Sequence, residues 1–300
     1  MSMIRPILIT GGDGQLGTSL CGLPVPEGYE LVAPGLDVLD FTRPETINAV
    51  MASRPWAAVI NGAAHTAVDR AESEPALAWT INAAAPARIA QLCAAADIPM
   101  VQVSTDYVYP GDKDGVYSED DAVGPLGVYG ASKAAGEWAV RSAVARHVIA
   151  RTSWVVSPFG ANFIKTMLRL GAERPELRVV DDQWGAPTSA QDLAAALLQI
   201  TRRLIEGPDA PTGVFHVVNR GETTWRRVAE AVFERAAGHG RKVPSVIPIA
   251  TSEYPTPARR PLNSRLSTAC LEEAYGIVLP EWRDGVDRIV DQLLQAETSV

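Results

Sequence analysis

The sequence predicts an α/β fold: a Rossmann-like doubly wound parallel sheet with a smaller C-terminal substrate-binding domain. In the first half, short continuous apolar runs alternate with helical patterns, as in a parallel sheet covered on both faces. Gly11, Gly14 and Gly17 stand between the first such run and the helix after it, where a dinucleotide-binding sheet places its phosphate turn. After Arg151 the alternation loosens, and a second lobe over the strand ends is the economical reading. The expected division is a dinucleotide-binding domain over residues 1–155 and a mainly substrate-binding domain over 156–300, with part of 181–215 free to return to the first.

In chain order, residues 7–10 form a β-branched apolar strand, 11–17 a turn, and 15–20 a short helix stopped by Pro24 and Pro26. Strands are expected at 30–33, 57–61, 100–104 and 148–151, with helices over 44–53, 75–96 and 128–145 between them. Pro44 suits a first helical turn, where its missing N–H leaves no bond unmade. Further on, 162–171 and 191–206 read as helices and 213–218 as a strand. Residues 224–237 read as a helix because Trp225, Val228, Ala229 and Val232 share a face. Residues 244–261, with Pro255, Pro257 and Pro261, read as a stiff loop, and 281–296 as a final helix.

Composition narrows the class. Three hundred residues, 47% of them hydrophobic, can build a sizeable core. The alanine-rich stretch 83–96 is broken by Pro86, Arg88 and Gln91 and falls short of the roughly 18 apolar residues of a membrane span, so no crossing is expected. Nothing ahead of Ile7 resembles a charged leader with an apolar core, and a cytoplasmic location is expected. Cys21, Cys93 and Cys270 are odd in number and lie in no Cys-x-x-Cys or Cys/His cluster, which argues against disulfides and zinc and for reduced, mostly buried thiols. A formal charge of −8 argues against nucleic acid, and an anionic small molecule would need a local cluster of basic groups or backbone amides.

Tyr129 and Lys133 stand four residues apart, so on a helix the phenol and the ammonium share a face. At about 4 Å and an effective dielectric of about 20 the ammonium offers the phenolate roughly 4 kcal/mol, enough to draw the phenol well below its ordinary pKa of about 10. Any surface helix can carry such a pair, and its weight comes from conjunction. Ser104, Thr105 and Asp106 close the fourth expected strand at the edge where doubly wound sheets bind ligands, although such residues also cap turns. The glycine turn reads as a phosphate cradle because a strand precedes it, while an ordinary βα turn would have the same spacing. Asn61, Gly62, Ala63 and Ala64 leave room at the same edge for a ring or ribose, or for close helix packing. His65, His147, His216 and His239 are scattered and read as solvated or core side chains, with His65 the one nearest the expected pocket. Asp69, Glu72 and Glu74 read as first-turn helix charges, and Trp154 and Trp184 as core residues or stacking platforms.

On these residues the chain resembles the dTDP-4-dehydrorhamnose reductases, extended members of the short-chain dehydrogenase/reductase superfamily. The resemblance spans nearly the whole length through residues 61–75 (NGAAHTAVDRAESEP), 104–109 (STDYVY), 162–170 (NFIKTMLRL), 182–188 (DQWGAPT) and 254–266 (YPTPARRPLNSRL). The glycines and Tyr-x-x-x-Lys fit many epimerases and dehydratases; the last three segments are narrower signals. The resemblance implies hydride transfer from NADPH or NADH to the C4 ketone of dTDP-4-dehydro-β-L-rhamnose, giving dTDP-L-rhamnose, the last step of that synthesis. It implies that Tyr129 protonates the developing alkoxide, that Lys133 holds the nicotinamide ribose and lowers the phenol pKa, and that Thr105 steadies the oxygen. Gly11, Gly14, Gln15, Leu16 and Gly17 would wrap the pyrophosphate, Asp40 and Phe41 would meet the adenine, and Ala63, Ala64, His65 and Thr66 would line the cofactor. Thr105, Asp106 and Trp154 would face the sugar. Lys165, Arg259, Arg260 and Arg265 are our candidates for the nucleotide phosphates, offsetting the net negative charge locally.

Two departures qualify the match. A carboxylate that often ends the second strand and favours NADH is replaced here by Pro34 and Gly35, with Asp37 a little later, which leaves NADH and NADPH both open. Some relatives form a magnesium-linked homodimer through glutamates, one of them on the first helix. That helix reads Thr18, Ser19, Leu20 here, and Gln191 stands where another acid is expected, which speaks against magnesium and against that dimer. Two alternatives stay beside the reductase: a noncatalytic dinucleotide-binding regulatory subunit of the methionine adenosyltransferase type, and a sugar-nucleotide epimerase or dehydratase.

Overall fold

The computed structural model describes residues 4–298; residues 1–3 and 299–300, the ends of the two expected domains, lie outside the described residues. Its first half builds β1 (Arg5–Thr10), α1 (Gln15–Cys21), β2 (Tyr29–Val32), α2 (Pro44–Ala52), β3 (Ala58–Asn61), α3 (Val68–Ser73), α4 (Pro75–Trp79), α5 (Ala85–Ala95), β4 (Met100–Thr105), α6 (Val128–Ala143) and β5 (His147–Thr152). There follow β6 (Val155–Val156), α7 (Phe163–Glu173), β7 (Glu176–Val180), β8 (Trp184–Gly185), β9 (Thr188–Ser189), α8 (Ala190–Glu206) and β10 (Gly213–His216). The chain ends with β11 (Thr223–Thr224), α9 (Trp225–Gly238), β12 (Ser245–Ile249), α10 (Ala269–Tyr275) and α11 (Trp282–Thr298).

Six parallel strands form the main sheet in the order β10-β5-β4-β3-β1-β2. Successive residues of a strand face opposite ways, and β1 separates the two cores accordingly. Ile7 and Ile9 pack with Leu16 and Leu20 of α1 and Leu193 and Leu197 of α8, whereas Leu8 joins Ile47 of α2, Ile89 of α5 and Val140 of α6. Although α8 and β10 come late in the chain, α8 packs on α1 and β10 extends the main sheet beside β5. A third core gathers Ile164 and Met167 of α7, Val228 and Val232 of α9, and Val286 and Val290 of α11. This lobe stands over the carboxyl ends of β4 and β5, whose last residues lead into the cavity described below.

Several expectations are corrected. The helix expected over 75–96 is two helices joined by a π-turn, Thr80–Ala84. Pro86 has no N–H to give the carbonyl of Asn82 four residues back, so the regular ladder cannot run through this point. The stretch read as a proline-rich loop contains β12, which pairs in parallel with β7 and so lies in a second sheet. The thiols are not mostly buried: Cys93 is, while Cys21 and Cys270 are exposed. The first-turn charges also reach further than their own helix. Glu72 accepts the Val128 N–H at 2.8 Å and so caps α6, and Asp69 accepts the Ala258 N–H at 3.1 Å and the Arg260 guanidinium at 2.7 Å.

Candidate active site

The ends of β1, β3, β4 and β5 open into one cavity of about 790 Å³, lined also by α6 and by residues 152–156 and 160–163. On its floor the glycine turn is tight. Gly11 has φ +73°, a Cβ there would lie 2.9 Å from the Ala63 backbone, and a Cβ on Gly17 would lie 2.2 Å from the Gly11 carbonyl oxygen. Only glycine fits this cradle, and α1 begins from it without a side-chain cap, which leaves its first N–H groups free for a diphosphate. The residues thus fit a dinucleotide. The Gln15 side chain does other work: its Oε1 accepts from Ser157 Oγ at 2.8 Å and Asn162 Nδ2 at 3.0 Å, tying the turn to the second lobe.

At the far end, Pro34, Leu36, Leu39, Asp40 and Phe41 line the cavity. The Asp40 carboxylate is turned back onto the N–H and hydroxyl of Thr42, at 2.8 and 2.7 Å, and Asp37 folds over Gly35. Ala63, Ala64 and Thr66 line the middle. His65 does not: its ring Nε2 meets Glu74 at 3.4 Å, and its backbone N–H is held by Asn82 Oδ1 at 2.8 Å.

Thr105, Asp106, Tyr129, Lys133 and Trp154 all face the cavity. The Thr105 hydroxyl donates to Asp106 Oδ1 at 2.9 Å, while Asp106 Oδ2 is buried without a partner. Burial pushes the Asp106 carboxyl up to about 6 against the pull of hydrogen bonds from Ser264 and Thr105. The Tyr107 ring meets that of Tyr129 edge-on at 5.4 Å. Burial likewise raises the Tyr129 phenol to about 12, opposed by its bond with Thr105 and reinforced by the Asp106 charge. This reverses the expected lowering by Lys133. That ammonium donates to the Val103 carbonyl at 2.7 Å and is itself pushed down to about 8 by burial, with Glu137 pulling the other way. Desolvation is the largest cause of both shifts.

Trp154 has a left-handed backbone, φ +49°, uncommon for a bulky residue. Its ring is held between Trp225, stacked at 3.8 Å and 15°, and Gly185, where a Cβ would come within 2.9 Å. Trp225 also lines the cavity, although its sequence signal was only that of a core-facing helix position. The four basic candidates are not gathered in this cavity. Lys165 Nζ donates to the Pro158 carbonyl at 3.3 Å, Arg260 is paired with Asp69, Arg265 is paired with Glu222 at 3.1 Å, and Arg259 is exposed. Where magnesium would need acids, Thr18 and Ser19 bond to backbone carbonyls, Gln191 is exposed, and no cluster of three His, Cys, Asp or Glu suited to a metal occurs among the described residues. No helix among them is long and apolar enough to cross a membrane.

A family model described as the RmlD substrate binding domain matches residues 5–295. The chain is 43% identical over 293 residues to a dTDP-4-dehydrorhamnose reductase of Escherichia coli strain K12, covering 96% of this chain and 97% of the relative. A dTDP-4-dehydrorhamnose reductase from Clostridium acetobutylicum superposes with TM-score 0.90 at 35% identity, over 97% of this chain and 100% of that one. The Bacillus anthracis reductase, in complex with NADP, gives TM-score 0.89 at 35% identity over the same shares. A dTDP-glucose 4,6-dehydratase and a UDP-glucose 4-epimerase, at 17% and 20% identity, share the fold alone. Glycine cradle, Tyr129 and Lys133 lie in one cavity, and the likeness to reductases runs end to end: the chain belongs to the dTDP-4-dehydrorhamnose reductase family and is an NAD(P)H-dependent oxidoreductase of dTDP-rhamnose synthesis.

Proposed function

We propose that the cavity reduces the C4 ketone of dTDP-4-dehydro-β-L-rhamnose, with Tyr129 as proton donor. The observation that carries this is the placing of Thr105, Tyr129 and Lys133 on one wall of the cavity whose floor is the glycine cradle. A bound NADPH or NADH supplies the hydride. The glycine turn holds its diphosphate, Ala63, Ala64 and Thr66 flank it, and Asp40 and Phe41 stand at the adenine end. Thr105 and Tyr129 offer hydroxyls to the ketone oxygen, and Tyr129 releases its proton as negative charge builds there. A phenol raised to about 12 stays protonated at neutral pH until that moment. Lys133, cationic below about pH 8, supports the phenolate left behind and takes up the nicotinamide ribose. Asp106 Oδ2, buried and unpartnered, accepts a sugar hydroxyl, and the Trp154 ring covers the hexose. Lys165, Arg259, Arg260 and Arg265 remain our candidates for the nucleotide phosphates; Arg260 and Arg265 must then leave their carboxylate partners.

The test is oxidation of NADPH or NADH, followed by absorbance, on addition of the 4-keto sugar nucleotide. We expect oxidation that depends on the sugar and stops when it is exhausted. Absence of oxidation with both cofactors would remove the reading.

A further inference from the structure

Below the catalytic side chains lies a charge pair that the reaction as described does not use. Tyr129, Lys133 and Glu137 follow one another at four-residue steps along one stripe of α6. Glu137 and Arg151 are buried to 0% and 2% side-chain exposure. Glu137 Oε1 accepts from Ser104 Oγ at 2.5 Å and Arg151 Nε at 3.0 Å, and its Oε2 accepts from Arg151 Nη2 at 2.6 Å. Arg151 also donates through Nη1 to the Tyr109 hydroxyl at 2.6 Å.

Two consecutive residues of β4 grip this stripe. The Val103 carbonyl holds the Lys133 ammonium and the Ser104 hydroxyl holds the Glu137 carboxylate, while Thr105, next along the strand, lines the cavity with Tyr129. A rotation of α6 that loosened one contact would loosen the other. As a source of stability a buried ion pair is weak, because desolvation offsets its attraction. As a source of fixed geometry and field it is strong.

We propose that Glu137 is a positioning residue for the reduction, locking the face of α6 that carries Tyr129 and Lys133 against β4 and supplying the negative charge that faces the Lys133 ammonium. The inference rests on the role given to Lys133 above. Of the other titratable groups packed nearby, Asp106, Tyr107 and Tyr129 line the same cavity as this ammonium, while Arg151 of β5 is bound to Glu137 and Glu72 of α3 to the Val128 N–H. Of the charged neighbours, Glu137 pulls the lysine upward against the effect of burial.

The experiment compares pH profiles of kcat/KM for the 4-keto sugar nucleotide, at saturating NADPH, for the parent chain, Glu137→Gln and the double variant Glu137→Gln/Arg151→Met. The double variant leaves no unpaired buried charge and stays folded if the single one does not. In the parent, activity falls as pH rises through about 8, where Lys133 loses its proton. In the variants that limb moves about one pH unit lower. Activity at pH 8 drops about fivefold, the deficit all but disappears near pH 6, and KM for the cofactor changes less than about threefold. A limb that stays in place in the folded variants overturns the proposal, whether activity is lost equally at every pH or not lost at all. A parent without turnover would instead overturn the reductase reading itself.

Discussion

A side chain that must give up a proton late in a reaction is best kept protonated until charge appears beside it, and burial would do this for Tyr129 in the role proposed for it. Tyr129→Phe keeps the ring and its edge contact with Tyr107 but removes the donor. Its kcat should fall by about 10² to 10⁴, with NADPH affinity by fluorescence titration unchanged; parental turnover would reassign the acid. Asp106 is the second titrating group. With its carboxyl near 6, kcat/KM should fall as pH drops through that value, because the protonated form no longer accepts a sugar hydroxyl with a full charge. Asp106→Asn should be at least about tenfold slower near neutrality and should lack this acid limb; an acid limb that persists would assign it to another group. Thr105, Asp106, Tyr129 and Lys133 were readable from the sequence because strand end and helix spacing are local features. The direction of the Tyr129 shift was not, because it depends on how much protein closes over the phenol.

At the scale of elements, β4 sets the position of α6, and α3 caps it. The Glu72 carboxylate takes the Val128 N–H, one of the bonds a helix start leaves unmade. Glu72→Ala should therefore cost about 1 kcal/mol of stability by urea denaturation, with kcat reduced if α6 carries the two side chains proposed for the chemistry; an unchanged midpoint would show that water replaces the cap without loss. Strands and helices of the first half stand close to where apolar runs and proline or glycine punctuation put them. The π-turn at Thr80–Ala84 escaped notice because alanine-rich sequence on both sides reads as one helix, and only the missing N–H of Pro86 marks the break. The pairing of β7 with β12 joins 176–180 to 245–249, and no local pattern announces a contact so distant in the chain.

The whole molecule places its two lobes around one cavity and stitches them at several points, three of which involve residues singled out in the sequence. Gln15 reaches Ser157 and Asn162, Trp154 stacks on Trp225, and Asp69 holds Arg260 and the Ala258 N–H. None of the partners across these stitches could be paired from sequence, although Gln15, Trp154 and Arg260 were each singled out. Because Trp225 fixes the ring proposed to cover the sugar, Trp225→Leu should lower kcat/KM for the sugar nucleotide by about tenfold or more while leaving the dissociation constant of NADPH in place. An equal loss in both would mean that the lobe as a whole had shifted. The central claim is that this cavity delivers hydride to C4 and that Tyr129 completes the hydroxyl. It is tested most directly by incubating dTDP-4-dehydro-β-L-rhamnose and NADPH or NADH with the parent chain and with Tyr129→Phe, and identifying the product by NMR. The account predicts dTDP-L-rhamnose from the parent and almost none from the variant in the same time; no dTDP-L-rhamnose from the parent, or equal amounts from both, would contradict it.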